Sequence, residues 1–177
     1  MKKNNDFTLI EILVVVGLIV IVLGVSIAFM NRTPARLVVV NTAAAIEQKM
    51  TLAQTQASLQ GIQKTLIYNS EKKMLFFSTS KPEDDNEFNP ADQPPPQGPE
   101  PSENGVIVSK NYIVIPKSIE VSFPDFDENL VVYNFYPDSA ASGPDMLLTL
   151  KGHELLIAVS PLTGIATTRE IDNEKYY

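Results

Sequence analysis

The residue types that most often carry out protein chemistry are scarce in this chain of 177 residues. It has no cysteine, which excludes disulfides, thiolate zinc sites, iron–sulfur clusters and cysteine nucleophiles. Its single histidine, His153, excludes multi-histidine metal sites and argues against most acid–base catalytic constellations. There is no Gly-x-Ser-x-Gly elbow and no glycine-rich phosphate loop. We therefore expect no catalytic residues, no enzymatic activity and no cofactor.

Acidic side chains are the remaining candidates for a metal site. Asp125, Asp127 and Glu128 offer closely spaced oxygen ligands of the kind that Ca²⁺ prefers, although they lack the Gly-centred spacing of an EF-hand. They are weak calcium candidates, and a solvated turn is the favoured interpretation. The formal net charge of −7 argues against a broad nucleic-acid surface, which needs clustered Lys and Arg. No nucleic-acid partner is expected.

The most unusual acidic residue is Glu11, because it borders a long apolar run. Residues 12–30 carry no charge, and 14 of these 19 residues are Ile, Leu, Val or Phe. A helix of about 20 such residues spans a bilayer, so residues 7–30 are predicted to form a transmembrane helix. Lys2 and Lys3 place the N-terminus in the cytoplasm by the positive-inside rule. The competing interpretation is a signal peptide, whose apolar region would be shorter, about 7–15 residues.

Glu11 itself has two interpretations. An ionisable side chain within a membrane segment is costly, and this favours a functional role. Alternatively, the carboxylate lies near the interface and extends to water.

The order of features at the N-terminus resembles the type IV pilin-like family. A short basic leader precedes Phe7-Thr8-Leu9-Ile10-Glu11, and an apolar helix follows. The resemblance implies that a prepilin peptidase removes the leader, residues 1–6, by cleaving between Asp6 and Phe7, and that Phe7 is then N-methylated. It also implies that the Glu11 carboxylate pairs with the N-terminal amine of a neighbouring subunit during assembly. The family normally has Gly or Ala before the cleavage point, where this chain has Asp6.

Residues 31–60 are predicted to form an amphipathic helix that joins the apolar segment to a head domain. Thr33-Pro34 favours a break before this helix, and Gly61 favours its end. An apolar stripe recurs at spacings of three and four residues: Val39, Ala43, Ile46, Met50, Ala53 and Ala57. Polar residues mark the opposite face: Asn41, Gln48, Lys49, Gln54, Thr55 and Gln56. We expect the apolar stripe to pack against the head.

Residues 61–177 are predicted to form a β-rich head. About eight short apolar runs are separated by turn residues, beginning with a hairpin formed by residues 65–68 and 74–77. The predicted fold class is therefore α+β, with a long N-terminal helix, transmembrane in its first half, packed on an antiparallel β-sandwich head. Residues 81–104 contain seven prolines and seven acidic residues, and we expect an exposed, extended and mobile loop there.

The head resembles the H-type minor pseudopilins of type II secretion and the related minor pilins, the GspH/FimT-like group. The resemblance is carried by residues 53–77 and by Ser160-Pro161-Leu162-Thr163-Gly164 near the end of the chain. It implies a minor subunit of a type II secretion pseudopilus, assembled through its N-terminal helix to help export folded proteins. Its partners would be sibling pseudopilins, an inner-membrane assembly platform, prepilin peptidase and the membrane.

The implied location is the bacterial inner membrane, with a single pass, the N-terminus in the cytoplasm and the head in the periplasm. Three alternatives stay open at this stage. The first is a minor type IV pilin acting in pilus initiation, adhesion or DNA uptake. The others are a membrane-anchored hydrolase and an adhesin-like head at a pilus tip.

The N-terminal motif predicts a processing event that can be measured. Intact-mass analysis of the protein from cells with an active prepilin peptidase should show the loss of residues 1–6 and the gain of one methyl group. Asp6→Gly, which restores the family's usual residue, is the comparison. Full-length mass for both variants would contradict the prediction. Cleavage of Asp6→Gly alone would show that the carboxylate at position 6 blocks the peptidase.

Overall fold

The computed structural model describes residues 9–30, 34–78, 95–124 and 130–171, with the side chains of the first helix described over residues 9–22. The chain divides into two compact units, Met1–Pro34 and Ala35–Tyr177. The first unit contains helix α1, Leu9–Met30, and the second begins with helix α2, Ala35–Gln60. Pro34 immediately precedes α2, and Gly61, with φ of 65°, follows its end. The helix predicted over residues 31–60 is found over Ala35–Gln60, and residues 31–33 lie outside the described structure.

The expected membrane span is not supported. Within the residues whose structure is described, no helix combines the length and the apolar character needed to cross a bilayer. The predicted fold class, with its long N-terminal transmembrane helix, and the predicted single-pass inner-membrane location are therefore wrong. The described chain has two separate helices and two antiparallel sheets.

Within the described residues of the second unit, ten strands form two sheets. In chain order they are β1 (Lys64–Asn69), β2 (Met74–Phe77), β3 (Ile107–Val108), β4 (Tyr112–Val114), β5 (Glu120–Ser122), β6 (Leu130–Phe135), β7 (Ala141–Ser142), β8 (Met146–Leu150), β9 (His153–Val159) and β10 (Ala166–Glu170). Sheet A has the order β3-β4-β2-β1-β6-β7, and sheet B has the order β10-β9-β8-β5. All neighbouring strands are antiparallel.

Local turn chemistry sets the register of the two best-defined hairpins. The β1–β2 hairpin predicted from the sequence is confirmed, and the Asn69 side chain accepts a hydrogen bond from the Lys72 N–H at 2.9 Å within its turn. In the β8–β9 hairpin, Lys151 and Gly152 have φ of 50° and 82°. Two consecutive left-handed residues form the turn whose twist matches that of the flanking strands.

The main core lies where α2 contacts strands of both sheets. All six residues of the predicted apolar stripe of α2 are buried. Tyr68 and Tyr133 are the largest side chains in this core, and burial raises the pKa of both phenols, which therefore stay neutral. The alternation in β6, where Val131, Tyr133 and Phe135 are buried, is the pattern of a strand with one face on the core.

A smaller apolar cluster, Ile67, Met74, Phe76 and Val114, is buried on sheet A apart from the main core. The described part of the proline-rich segment packs beside it. A Cβ added at Gly98 would lie 2.9 Å from Cε of Met74, and the Lys117 N–H donates to the Ser102 carbonyl at 2.8 Å. Seven of residues 95–104 are exposed and none is buried, although the segment contacts Met74 and Lys117, while residues 81–94 lie outside the described structure.

A charge placed in the interface between α2 and the sheets should destabilise the fold. In a chain that begins at Thr33, Met50→Asp should lower the free energy of unfolding by more than about 3 kcal/mol, because Met50 is fully buried. Thr51→Asp, at the exposed neighbouring position, is the control and should change it little. Denaturant unfolding measures both. Equal stability of the two variants would show that the stripe is not buried in solution.

Candidate assembly surface

The described part of α1 exposes apolar side chains around its whole circumference. Every Leu, Ile and Val between positions 9 and 22 is between 51% and 83% exposed. A helix that is apolar on all sides is normally found buried. Glu11 lies in the first turn of this helix and is also exposed. Asp6, Phe7 and Thr8 of the N-terminal motif lie outside the described residues.

After Arg36, none of the exposed positions of α2 is charged, which is unusual for a surface helix. Its exposed positions recur every three or four residues along the helix. We call them the outer stripe: Leu37, Val40, Asn41, Ala44, Gln48, Thr51, Leu52, Thr55 and Leu59. Four of these nine residues are large aliphatic side chains that are at least 39% exposed. The outer stripe could therefore be covered by another protein without removing a charge from water.

The three charged residues of α2 all contact the β-strands or their connections, although Arg36 stays exposed and Glu47 is half-buried; only Lys49 is buried. Glu47 accepts a hydrogen bond from the Thr168 hydroxyl of β10 at 3.0 Å. The sheets thus satisfy the helix's charges as well as covering its apolar stripe.

Arg36 and Glu170 form a two-pronged ion pair between α2 and the end of β10. The Arg36 Nε lies 3.2 Å from Oε1 of Glu170, and an Arg36 terminal guanidinium nitrogen lies 3.0 Å from Oε2. The hydrogen bonding raises the pKa of Arg36 and lowers the pKa of Glu170. Both side chains are about half exposed, so the pair orients the two elements more than it stabilises them.

Lys49 is buried, with only 5% of its surface exposed. Its Nζ donates to the carbonyl oxygens of Ser109 at 2.6 Å and Lys110 at 2.9 Å, and it lies 5.6 Å from the centre of the Phe77 ring. Burial lowers the pKa of this ammonium, and the carbonyls and ring compensate for part of its lost hydration. The sequence interpretation that placed Lys49 on the polar outer face is therefore wrong.

The structure does not test the acidic metal-site candidates from the sequence. Asp125, Asp127 and Glu128 lie outside the described residues. Among the residues that are described, no three His, Cys, Asp or Glu side chains come together as metal ligands. Asp138 instead accepts a hydrogen bond from the Ala140 N–H at 3.1 Å, which is an ordinary turn contact.

The outer stripe is the functional feature that the sequence interpretation missed. The signal was present in the composition of α2, because its 26 residues contain only three charges, all of which the sheets engage. Comparison of the chain with protein-family models, curated proteins and solved structures gives no match in any of the three. The functional argument therefore rests on the chain's own residues.

Proposed function

We propose that this chain is a minor, pseudopilin-type subunit that assembles into a pilin-like filament of a type II secretion system. The observation that carries the proposal is the charge-free outer stripe of α2. Together with the exposed apolar surface of α1, it gives the chain two helical surfaces suited to packing against other subunits.

The composition of the outer stripe fits a packed helical interface better than a solvated surface. Protein interfaces are depleted of charge at their centre, because each buried ion loses hydration that its partner must replace. Leu37, Val40 and Leu52 supply apolar area, and small Ala44 permits close approach of a neighbouring helix. The Asn, Gln and Thr side chains can hydrogen-bond across such an interface without a net charge.

Glu11 supplies the specific contact in this proposal. After removal of residues 1–6, its carboxylate would pair with the N-terminal amine of Phe7 in an adjacent subunit. Apolar helices alone can slide past one another, whereas a charged pair fixes one register. The axial distance from Phe7 to Glu11 within one chain is about 6 Å at 1.5 Å per residue, so the pairing fits a neighbour displaced by roughly one helical turn.

The described end of the head argues against a DNA-uptake subunit. Only two charged residues occur in β10, Arg169 and Glu170, and they are adjacent and of opposite sign. Glu170 also pairs with Arg36, so this strand presents no cluster of cations for phosphates. A secretion filament is therefore preferred to a DNA-binding pilus.

The outer stripe can be tested by adding a single charge. Val40→Lys should reduce cross-linking to sibling subunits by about tenfold or more at matched expression, since an unpaired charge in an interface costs at least about 1.4 kcal/mol. Thr167→Lys adds the same charge at an exposed position of β10 and should cross-link like the wild type. Unfolding measurements should show both variants folded. Normal cross-linking of Val40→Lys would remove the stripe from the interface.

The proposed role of Glu11 is tested by Glu11→Val in cells that contain the other subunits. Removal of the leader and the amount of protein should be unchanged, whereas cross-linking to siblings and secretion should fall. Glu11→Asp, which keeps the charge on a shorter side chain, should retain part of both. If Glu11→Val and the wild type cross-link equally, Glu11 does not direct assembly.

A further inference from the structure

The single Asn-Gly sequence of the chain, Asn104-Gly105, lies at the point where the proline-rich segment joins β3. Both residues are exposed, and neither belongs to a helix or strand. Glycine has no side chain to shield its backbone nitrogen, so this nitrogen can approach the preceding asparagine side chain more closely than in any other Asn-X pair. The exposed position also gives water free access.

We propose that Asn104-Gly105 is a site of spontaneous covalent modification, in which the asparagine is deamidated through a cyclic imide. The backbone nitrogen of Gly105 loses its proton to the solvent and attacks Cγ of Asn104. A new N–C bond forms, and the side-chain nitrogen leaves as ammonia. Water then adds to either carbonyl of the imide and breaks one C–N bond, which yields aspartate or isoaspartate at position 104. The reaction needs no oxidant, cofactor or enzyme.

Ser102 restrains this reaction in the folded chain. The Gly105 N–H donates to Oγ of Ser102 at 3.0 Å, and the Ser102 hydroxyl lies 2.6 Å from the Gly105 carbonyl oxygen. Such a local side-chain contact holds the glycine in one backbone conformation. Because the attacking nitrogen must lose its proton and rotate toward Cγ of Asn104, the contact with Ser102 has to open first. The site is therefore accessible to water, but the contact with Ser102 slows its deamidation.

The modification would alter the attachment of the proline-rich segment. The carbonyls of Ser102 and Glu103 accept hydrogen bonds from the N–H groups of Lys117 and Ser118, at 2.8 and 3.3 Å. Isoaspartate adds a methylene group to the main chain immediately after these two acceptors, and either product adds a negative charge beside Glu103. We expect the segment to loosen from sheet A, beside the buried cluster that contains Met74.

Other asparagines in the described structure provide internal comparisons. Asn69 is followed by small Ser70, but its side-chain oxygen accepts the Lys72 N–H and the residue lies in β1. The Asn134 side-chain oxygen accepts hydrogen bonds from Gln63 and Thr65 within sheet A. Both side chains are thus held in place by the fold. Position 104 should therefore react first.

The test is peptide mapping of the purified full chain after incubation at mildly alkaline pH in water enriched in ¹⁸O. The peptide containing position 104 should gain one labelled oxygen, appear as both aspartate and isoaspartate forms, and do so faster as the pH rises. Asn104→Gln and Gly105→Ala should abolish the fast conversion, because glutamine would have to close a slower six-membered ring and the alanine methyl group hinders approach of the backbone nitrogen to Cγ. Ser102→Ala should accelerate it several-fold in the folded chain.

Two results would overturn the proposal. The first is an unmodified position 104 in the folded chain while Asn69 or Asn134 reacts. The second is formation of aspartate alone, since direct hydrolysis gives no isoaspartate. An equal rate for Ser102→Ala and the wild type when folded would overturn only the proposed role of Ser102. In urea-unfolded samples, Ser102→Ala and the wild type should be deamidated at equal rates. This comparison shows whether a difference between their rates depends on the fold.

Discussion

The contact between α2 and both sheets is the constraint on which the second unit depends. Sheets A and B are hydrogen-bonded as separate ladders, and α2 contacts strands of each. The inner face of α2 alternates small residues such as Ala43 and Ala53 with larger ones such as Ile46 and Met50. Small side chains allow the helix to approach the strands closely, while the larger ones fill the space between them. A change in this stripe would therefore affect both sheets at once.

The contact between α2 and the sheets also determines the partners of the charged side chains of α2. Lys49 is next to Met50 in sequence and is buried with it, so its ammonium has to find partners within the protein. It finds the carbonyls of Ser109 and Lys110, in the connection between β3 and β4, which ties an edge of sheet A to the helix. Arg36 and Glu47 tie β10 in the same way. Because the three charged side chains of α2 all contact the strands or their connections, the residues of the outer stripe are uncharged.

The spacing of apolar residues in the sequence correctly predicted the helix and strands whose buried positions recur at a regular period. The stripe of α2 and the β1–β2 hairpin were found because apolar residues recur at the period of a helix or a strand. β7 was missed, because Ala141 and Ser142 are too few to show a period. Lys49 was assigned to the wrong face, because its residue type suggests exposure. Only the three-dimensional structure shows the two carbonyl oxygens that accept hydrogen bonds from its ammonium group. Composition predicted the exposure of residues 95–104 but not their contacts with the distant Met74 and Lys117.

The two exposed helical surfaces would play different roles in an assembly. The described surface of α1 is aliphatic at almost every position, so it offers binding energy without a preferred register. The outer stripe of α2 mixes Leu and Val with Asn, Gln and Thr, whose hydrogen bonds depend on alignment. A polar group in an apolar interface sacrifices some stability and gains specificity, because any misaligned neighbour leaves that group without a partner. Glu11 is the strongest such group in the described part of α1, since an unpaired carboxylate costs more than an unpaired amide. An assembly built from this chain would therefore take its affinity from the aliphatic residues and its alignment from Glu11 and the outer stripe.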